Sequence, residues 1–380
     1  MGEEKMKAKS KLYYRFFTCT LIVLLLLLFL FIKGKGGEEN KTVEKEISFP
    51  VMGTIACLKI QGEKGDPPEK LEKALAAMQE LIRSLEKECN FYDPASPLSH
   101  LNREAHKKPF PLSGHLWVLL QESRRFYAFS EGSFDITISP LMQVWGFHRK
   151  RNTLPGKEEI LKAKKFVGLE KLLFDDEKKT LAFPGSGFRL DLGGIAKGYA
   201  LDLARKKAED MGIFRGVLDL GGNILTLPQP YHGRKGYRIG IRDPRKKGLL
   251  AVVDMPPGMC MATSGSYHRF SEIDGKRYSH IIDPVTGYPI APVSLSATVL
   301  TEKGVHSDAL STILFIKGEA FMDKITKEFP RTQLLYFRKD ENGKMLGFFR
   351  GKVFAPVVKN RFKRDKDSSF SAFSKPFPEK

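Results

Sequence analysis

The sequence predicts an α+β fold. Segments with strand character and segments with helical spacing succeed one another without the regular βαβ beat of a doubly wound sheet. No Gly-x-Gly-x-x-Gly follows a strand-like segment, which argues against a Rossmann dehydrogenase. The 380 residues, 42% of them hydrophobic, suffice for a large core and leave room for two lobes.

The start of the chain sets the expected compartment. Lys5, Lys7, Lys9, Lys11 and Arg15 precede an uncharged apolar run from Phe16 to Ile32. A basic flank before such a run marks an export signal or an anchor. The run is long enough to span a bilayer, and Lys33-Gly-Lys-Gly-Gly37 is a poor cleavage site. Residues 1–33 are read as a cytoplasmic basic segment and one N-terminal transmembrane helix, with the remainder exported by the positive-inside rule. Cys19 lacks a lipoprotein context. Cys57, Cys89 and Cys260 show no Cys-x-x-Cys and no metal spacing, so one disulfide with a free thiol and three unpaired thiols both stand.

Residues 34–46 form a polar linker and 47–355 the main domain. Ile47 to Ile60 reads as a strand pair interrupted at Met52-Gly53-Thr54. Pro68 to Glu88 places Leu71, Leu75, Met78, Leu81, Ile82 and Leu85 on one helical face. A loop over Asn90–Pro97 and an amphipathic helix over Leu116–Ser130 come next. A helix over Ile195–Asp210 closes at Gly212, a suitable C′ glycine. Asp191-Leu-Gly-Gly194 is echoed by Asp219-Leu-Gly-Gly222, which hints at an internal duplication. Short strands are expected within Tyr237–Val253 and Arg277–Ile282, a strand over Ser294–Leu300 and a helix over Ser307–Phe315. Residues 356–380 read as a basic, disordered tail. The net charge of +19 suits an anionic partner, but zinc-finger spacing, an arginine-rich helix and RNA-binding aromatic motifs are absent, so no nucleic-acid role is expected.

Five constellations carry possible chemistry. In Arg189-Leu-Asp-Leu-Gly-Gly-Ile-Ala-Lys-Gly198, a strand end turns at two glycines into a helix bearing Lys197. Such a turn presents a positive helix end and an ammonium to an anion, although Gly198 follows the lysine where a Walker loop needs a hydroxyl. In Ser307-Asp-Ala-Leu-Ser-Thr312, a helix would set Asp308 and Thr312 one turn apart on one face. Their hard oxygens suit Mg²⁺; helix capping by Ser307 or Asp308 and back-bonding by Thr312 is the alternative. In Tyr278–Gly287, His280 is a proton shuttle, ligand contact or structural histidine, while Asp283 and Thr286 shape the turn. Asp135, in Phe134-Asp-Ile-Thr-Ile-Ser-Pro-Leu141, sits among apolar residues and needs either backbone partners or a ligand. Ala262-Thr-Ser-Gly-Ser-Tyr267 reads as a polar ligand-binding loop. It is not a hydrolase elbow, because Gly-x-Ser-x-Gly is missing.

In combination and order these motifs resemble the FAD:protein FMN transferase family, the ApbE-type flavin transferases. The resemblance runs from about Phe49 to Gly318. It rests on Met52-Gly-Thr54, Tyr92-Asp-Pro-Ala-Ser96, Phe134-Asp135 and Trp145-Gly-Phe147. It continues through Asp191–Gly198, Asn223, Thr263-Ser-Gly265, His280–Gly287 and Asp308–Thr312.

The resemblance implies a two-lobed α+β fold with FAD between the lobes. It implies Mg²⁺-dependent transfer of FMN from FAD, as substrate, to a threonine hydroxyl of an acceptor protein, with release of AMP. Acceptors in the family are exported flavoproteins or subunits of membrane redox complexes. An enzyme anchored in a bacterial inner (cytoplasmic) membrane, with its catalytic domain on the periplasmic or extracytoplasmic side, would meet them there. Residue by residue, the resemblance implies Mg²⁺ on Asp308, Thr312 and the Gly194 carbonyl. It places Tyr92 on the isoalloxazine with Met52 beside it, and Asp135, Asp191, Lys197 and the backbone at Ile282 around the nucleotide. His280 and a carboxylate at the metal, such as Asp308, are the candidates to take the threonine proton. The chain departs from the family at Pro97, which replaces a usual Glu, at Ser266, where an Asp often stands, and at Asn90, which replaces a common Ser. The alternatives are an Mg²⁺-dependent FAD pyrophosphatase and a non-catalytic flavin-binding membrane protein.

Overall fold

A computed structural model describes residues 42–149, 151–265, 270–354, 357 and 372–374. The predicted anchor falls outside these residues. Among those described, no helix is long and apolar enough to cross a membrane.

The frame is a nine-stranded sheet. Its order is β1 (Glu44–Val51), β2 (Thr54–Gln61), β6 (Arg215–Leu220), β7 (Asn223–Thr226), β10 (Cys260–Gly265), β13 (Ser294–Thr301), β14 (Gln333–Lys339), β15 (Met345–Arg350) and β16 (Ala372–Ser374). All neighbours are antiparallel except β15 and β16. This agrees with the α+β expectation and corrects two boundaries. β1 starts at Glu44, inside the expected linker, and 372–374 of the expected tail form an edge strand. Of the polar loop expected over Ala262–Tyr267, Ala262–Gly265 are instead the end of β10, whose small residues pair within the sheet, and the last two residues lie outside those described.

Helices cover one face: α1 (Pro68–Cys89), α2 (Pro97–Glu104), α3 (Gly114–Phe129), α6 (Ala196–Asp210), α7 (Gly304–Lys317) and α8 (Met322–Glu328). The ribbon of β8 (Tyr237–Arg242) and β9 (Leu249–Met255) covers the other. Strand alternation explains the two layers. In β6, Leu218 and Leu220 join the helical core while Val217 packs on the ribbon side, and β13 is buried at every position. A third, smaller core joins α4 (Ser139–Val144) and α5 (Lys157–Lys164) to the hairpin β11 (Phe270–Ile273)–β12 (Lys276–Ser279) and the segment after it through Leu141, Trp145, Ile160, Ile273 and Ile282. The Trp145 indole donates to the Gly287 carbonyl at 2.9 Å, tying the Asp283–Gly287 turn to this core. A three-stranded sheet, β3 (Phe110–Pro111), β5 (Thr180–Ala182) and β4 (Leu173–Asp175), completes the fold.

Two close approaches set the geometry of the site. A Cβ on Gly198 of α6 would lie 2.1 Å from the Gly304 carbonyl oxygen, and one on Gly304 of α7 2.3 Å from that of Gly198. Only glycine lets these backbones touch. The Asp202 carboxylate then caps α7, accepting from the Gly304 and Val305 N–H groups at 2.7 and 2.9 Å. Because α7 begins at Gly304, neither Ser307 nor Asp308 is its N-cap. Cys57, Cys89 and Cys260 are unpaired thiols.

Candidate active site

A cavity of about 670 Å³ opens where strand turns of the main sheet meet α6, α7 and the small third core. It brings together every residue the sequence nominated: Met52, Tyr92, Asp135, Asp191, Gly194, Lys197, His280, Ile282, Asp308 and Thr312 all line it.

The charged wall comes from α6 and α7. Asp308 is buried at 4% exposure; its Oδ2 accepts from the Gly198 N–H at 2.9 Å, and its Oδ1 lies 3.3 Å from the Lys197 ammonium. Lys197 also donates to the Gly193 carbonyl at 3.1 Å. Asp191 Oδ1 accepts from the Gly193 N–H at 2.7 Å, so that N–H is taken within the turn and is not offered to an anion. Lys197 and the start of α6 carry the positive charge instead. The echoed turn differs in detail: Asp219 Oδ1 accepts from the Gly222 N–H at 2.7 Å, three residues on rather than two. One copy opens a helix and the other closes the hairpin β6–β7, so the four-residue echo is not a shared local structure.

The oxygens of Asp308 and Thr312 could hold a metal. Both line the cavity one helical turn apart, and a Cβ on Gly194 would lie 3.9 Å from Thr312 Oγ1. The donors are a carboxylate, a hydroxyl and a neighbouring backbone, all hard oxygens. Among the described residues no group of three or more His, Cys, Asp or Glu could hold an ion. One carboxylate, completed by water and substrate phosphate, is a Mg²⁺ pattern rather than a zinc pattern, so the residues fit that ion.

The opposite wall is aromatic and apolar. Met52 and Gly53, with φ of 49° and 69°, make the tight turn between β1 and β2. Positive φ strains a methionine, and Glu86 of α1 holds the turn by accepting from the Met52 N–H. Tyr92 is 62% exposed, and its hydroxyl meets His148 Nδ1 at 3.2 Å. The other His148 nitrogen meets Ser139 Oγ at 3.1 Å, and its ring stacks on Phe91 with centroids 4.4 Å apart. Burial pushes the His148 pKa down; Asp191 opposes this and Arg189 reinforces it. Neither Glu86, which lines the cavity, nor His148, which contacts the lining residue Tyr92, stood out in the sequence. Glu86 resembles any polar helix position, and the only signal for His148 is its place directly after Trp145-Gly-Phe147.

Asp135 has the local partners that one of its sequence readings required. Its Oδ1 accepts from the Thr137 N–H at 2.8 Å and the Thr137 hydroxyl at 2.6 Å, and the residue also lines the cavity. Burial pushes its pKa up to about 6 despite these bonds. Asp283 and Thr286 shape their turn as expected, accepting from the Val285 and Tyr288 N–H groups. Ser264 bonds to Ser311 and Thr312, so no hydrolase triad forms around it.

The ApbE family model matches residues 52–335. The chain is 32% identical over 283 residues to the FAD:protein FMN transferase of Rhodobacter capsulatus, covering 74% of this chain but 53% of that protein. It is 30% identical over 287 residues to the FAD:protein FMN transferase of Vibrio cholerae, covering 74% and 84%. The fold matches the solved flavin transferase ApbE of V. cholerae with a TM-score of 0.73 at 27% identity, over 83% of this chain and 99% of that one. It matches the ApbE protein of Thermotoga maritima with a TM-score of 0.71 at 30% identity, over 80% and 96%. With these motifs converging on one cavity, the chain belongs to the ApbE family.

Proposed function

We propose that the protein transfers FMN from FAD to a threonine hydroxyl of an acceptor protein and releases AMP. The observation that carries this reading is the meeting of Lys197, the start of α6 and the Asp308–Thr312 oxygens on one wall of a cavity with an aromatic opposite wall. Phosphoryl transfer asks mainly for positioning and charge neutralisation, which this wall supplies. In the balanced step, the acceptor Oγ bonds to the FMN phosphorus, the pyrophosphate P–O bond breaks, and AMP leaves with the bonding electrons. The threonine proton goes to His280, which lines the cavity directly after β12. No nucleophile from this chain is required.

Mg²⁺ held by Asp308, Thr312 and the Gly194 carbonyl would neutralise phosphate charge when bound. Lys197, now against Asp308, would face the same phosphates. Tyr92 and Met52 would hold the isoalloxazine, with Asp135, Asp191 and the Ile282 backbone around the nucleotide between the main body and the small core. An N-terminal helix in the inner membrane would put this domain on the extracytoplasmic side, beside exported flavoproteins or membrane redox subunits.

The test incubates the full chain with FAD, Mg²⁺ and a threonine-bearing acceptor domain, and a denaturing gel then separates the products. Flavin fluorescence on the acceptor, lost with EDTA, is the expected result. Free FMN without a fluorescent band would replace transfer by pyrophosphatase activity.

A further inference from the structure

Among the described residues Thr312 Oγ1 has one hydrogen-bond partner, Ser264 Oγ of β10, at 3.3 Å. Ser264 Oγ also meets Ser311 Oγ at 2.9 Å, and Ser311 donates to the Asp308 carbonyl at 2.8 Å. A hydroxyl has one proton to give and two lone pairs to receive with. The Ser311 proton lies on the Asp308 carbonyl, so the proton between Ser264 and Ser311 belongs to Ser264. Ser264 then has none left for Thr312, and Thr312 must donate to Ser264. The order is fixed: Thr312 to Ser264, Ser264 to Ser311, Ser311 to the Asp308 carbonyl.

We infer that Ser264, which lines the cavity beside Thr312, and Ser311 are positioning residues that take up the Thr312 proton and leave its oxygen lone pairs as an acceptor for a hard cation. A helical threonine otherwise bonds back to the carbonyl four residues earlier. For Thr312 that carbonyl belongs to Asp308. It already takes the helical N–H bond and the Ser311 hydroxyl, and Thr312 bonds to Ser264 instead. The relay therefore does for the hydroxyl ligand what Gly198 N–H does for the carboxylate: it fixes the orientation before any cation arrives. Ser311 is 1% exposed and does not line the cavity, so it acts only through its neighbours.

The inference rests on the proposed metal site, and Mn²⁺ binding separates the two. Free Mn²⁺ is measured by electron paramagnetic resonance with the full chain and FAD. Ser264→Ala and Ser311→Ala should each weaken Mn²⁺ binding roughly tenfold. The double variant should be no weaker than the worse single one, and Ser264→Thr should bind like the wild type. FAD affinity in EDTA should stay unchanged in Ser311→Ala, with thermal unfolding confirming that each variant folds. Wild-type Mn²⁺ affinity in Ser311→Ala would overturn the relay and leave the metal site standing. Wild-type affinity in Thr312→Ala would overturn the metal assignment and the relay together.

Discussion

Lys197 Nζ lies 3.3 Å from Asp308 Oδ1, although 111 positions separate the two residues. The contact exists because Gly198 and Gly304 let the first turns of α6 and α7 meet backbone to backbone. That approach also puts the Gly198 N–H on Asp308 Oδ2. A carboxylate this buried requires such compensation, and a divalent cation at the same carboxylate would compete with the ammonium.

Gly198→Ala tests the approach directly. Its Cβ would meet backbone atoms, not a flexible side chain, so α6 and α7 must separate. We expect a loss of about 3 kcal/mol in urea unfolding, with loss of FMN transfer. Wild-type stability in this variant would show that the helices can part without cost.

Asp308→Ala should abolish Mg²⁺-stimulated transfer while FAD still binds measurably. The loss should exceed roughly a hundredfold in kcat/KM, as expected when charge stabilisation in phosphoryl transfer is removed. Full activity in the variant would remove Asp308 from the metal site.

Tyr92→Ala should weaken FAD binding by about 2 kcal/mol, or roughly thirtyfold in Kd, the worth of one aromatic stacking partner. Tyr92→Phe keeps the ring but loses the hydroxyl contact to His148 Nδ1. It should fall between wild type and Tyr92→Ala in a flavin-fluorescence titration. An unchanged affinity in Tyr92→Ala would take the residue out of the stacking role.

Asp135 gives the apo protein a predictable pH response. Its folded pKa, about 6, lies above the ordinary value of 3.8. Between these values the folded carboxyl keeps a proton that the unfolded one has lost. Its contribution to stability therefore falls as pH rises from 3.8 to about 6 and stays low above that. Asp135→Asn should remove this dependence and raise stability at pH 8 by at most ~3 kcal/mol. Chemical unfolding of both proteins across that range checks the sign; a parallel loss in the variant would assign the response to another group.

His280→Ala should lower kcat with little change in FAD affinity if the imidazole takes the threonine proton. A drop of about a hundredfold, typical of a lost general base, is expected in single-turnover transfer. A change confined to FAD affinity would make His280 a binding residue.

Local patterns were enough to read several elements and the chemical inventory. The apolar spacing from Leu71 to Leu85 marked a helix, Met52-Gly53 marked a turn, and Asp308 and Thr312 share a helical face because the helix repeat demands it. Tertiary structure decided what those patterns were for. Ala262–Gly265 has turn-like composition but lies in a strand, because pairing with β13 outweighs local preference. The two Asp-Leu-Gly-Gly runs share a sequence, yet their aspartates bond to different glycines, and the first leads into α6 and the second into β7. Glu86 became a lining residue, and His148 a partner of Tyr92, only when α1 and the segment after α4 took their places around the cavity. The sequence by itself determined which donors, acceptors and charges are present, since those depend on residue type and short-range geometry. Only the tertiary structure decided which of them meet, because contacts such as Lys197 with Asp308 depend on two helices touching at glycines far apart in the chain.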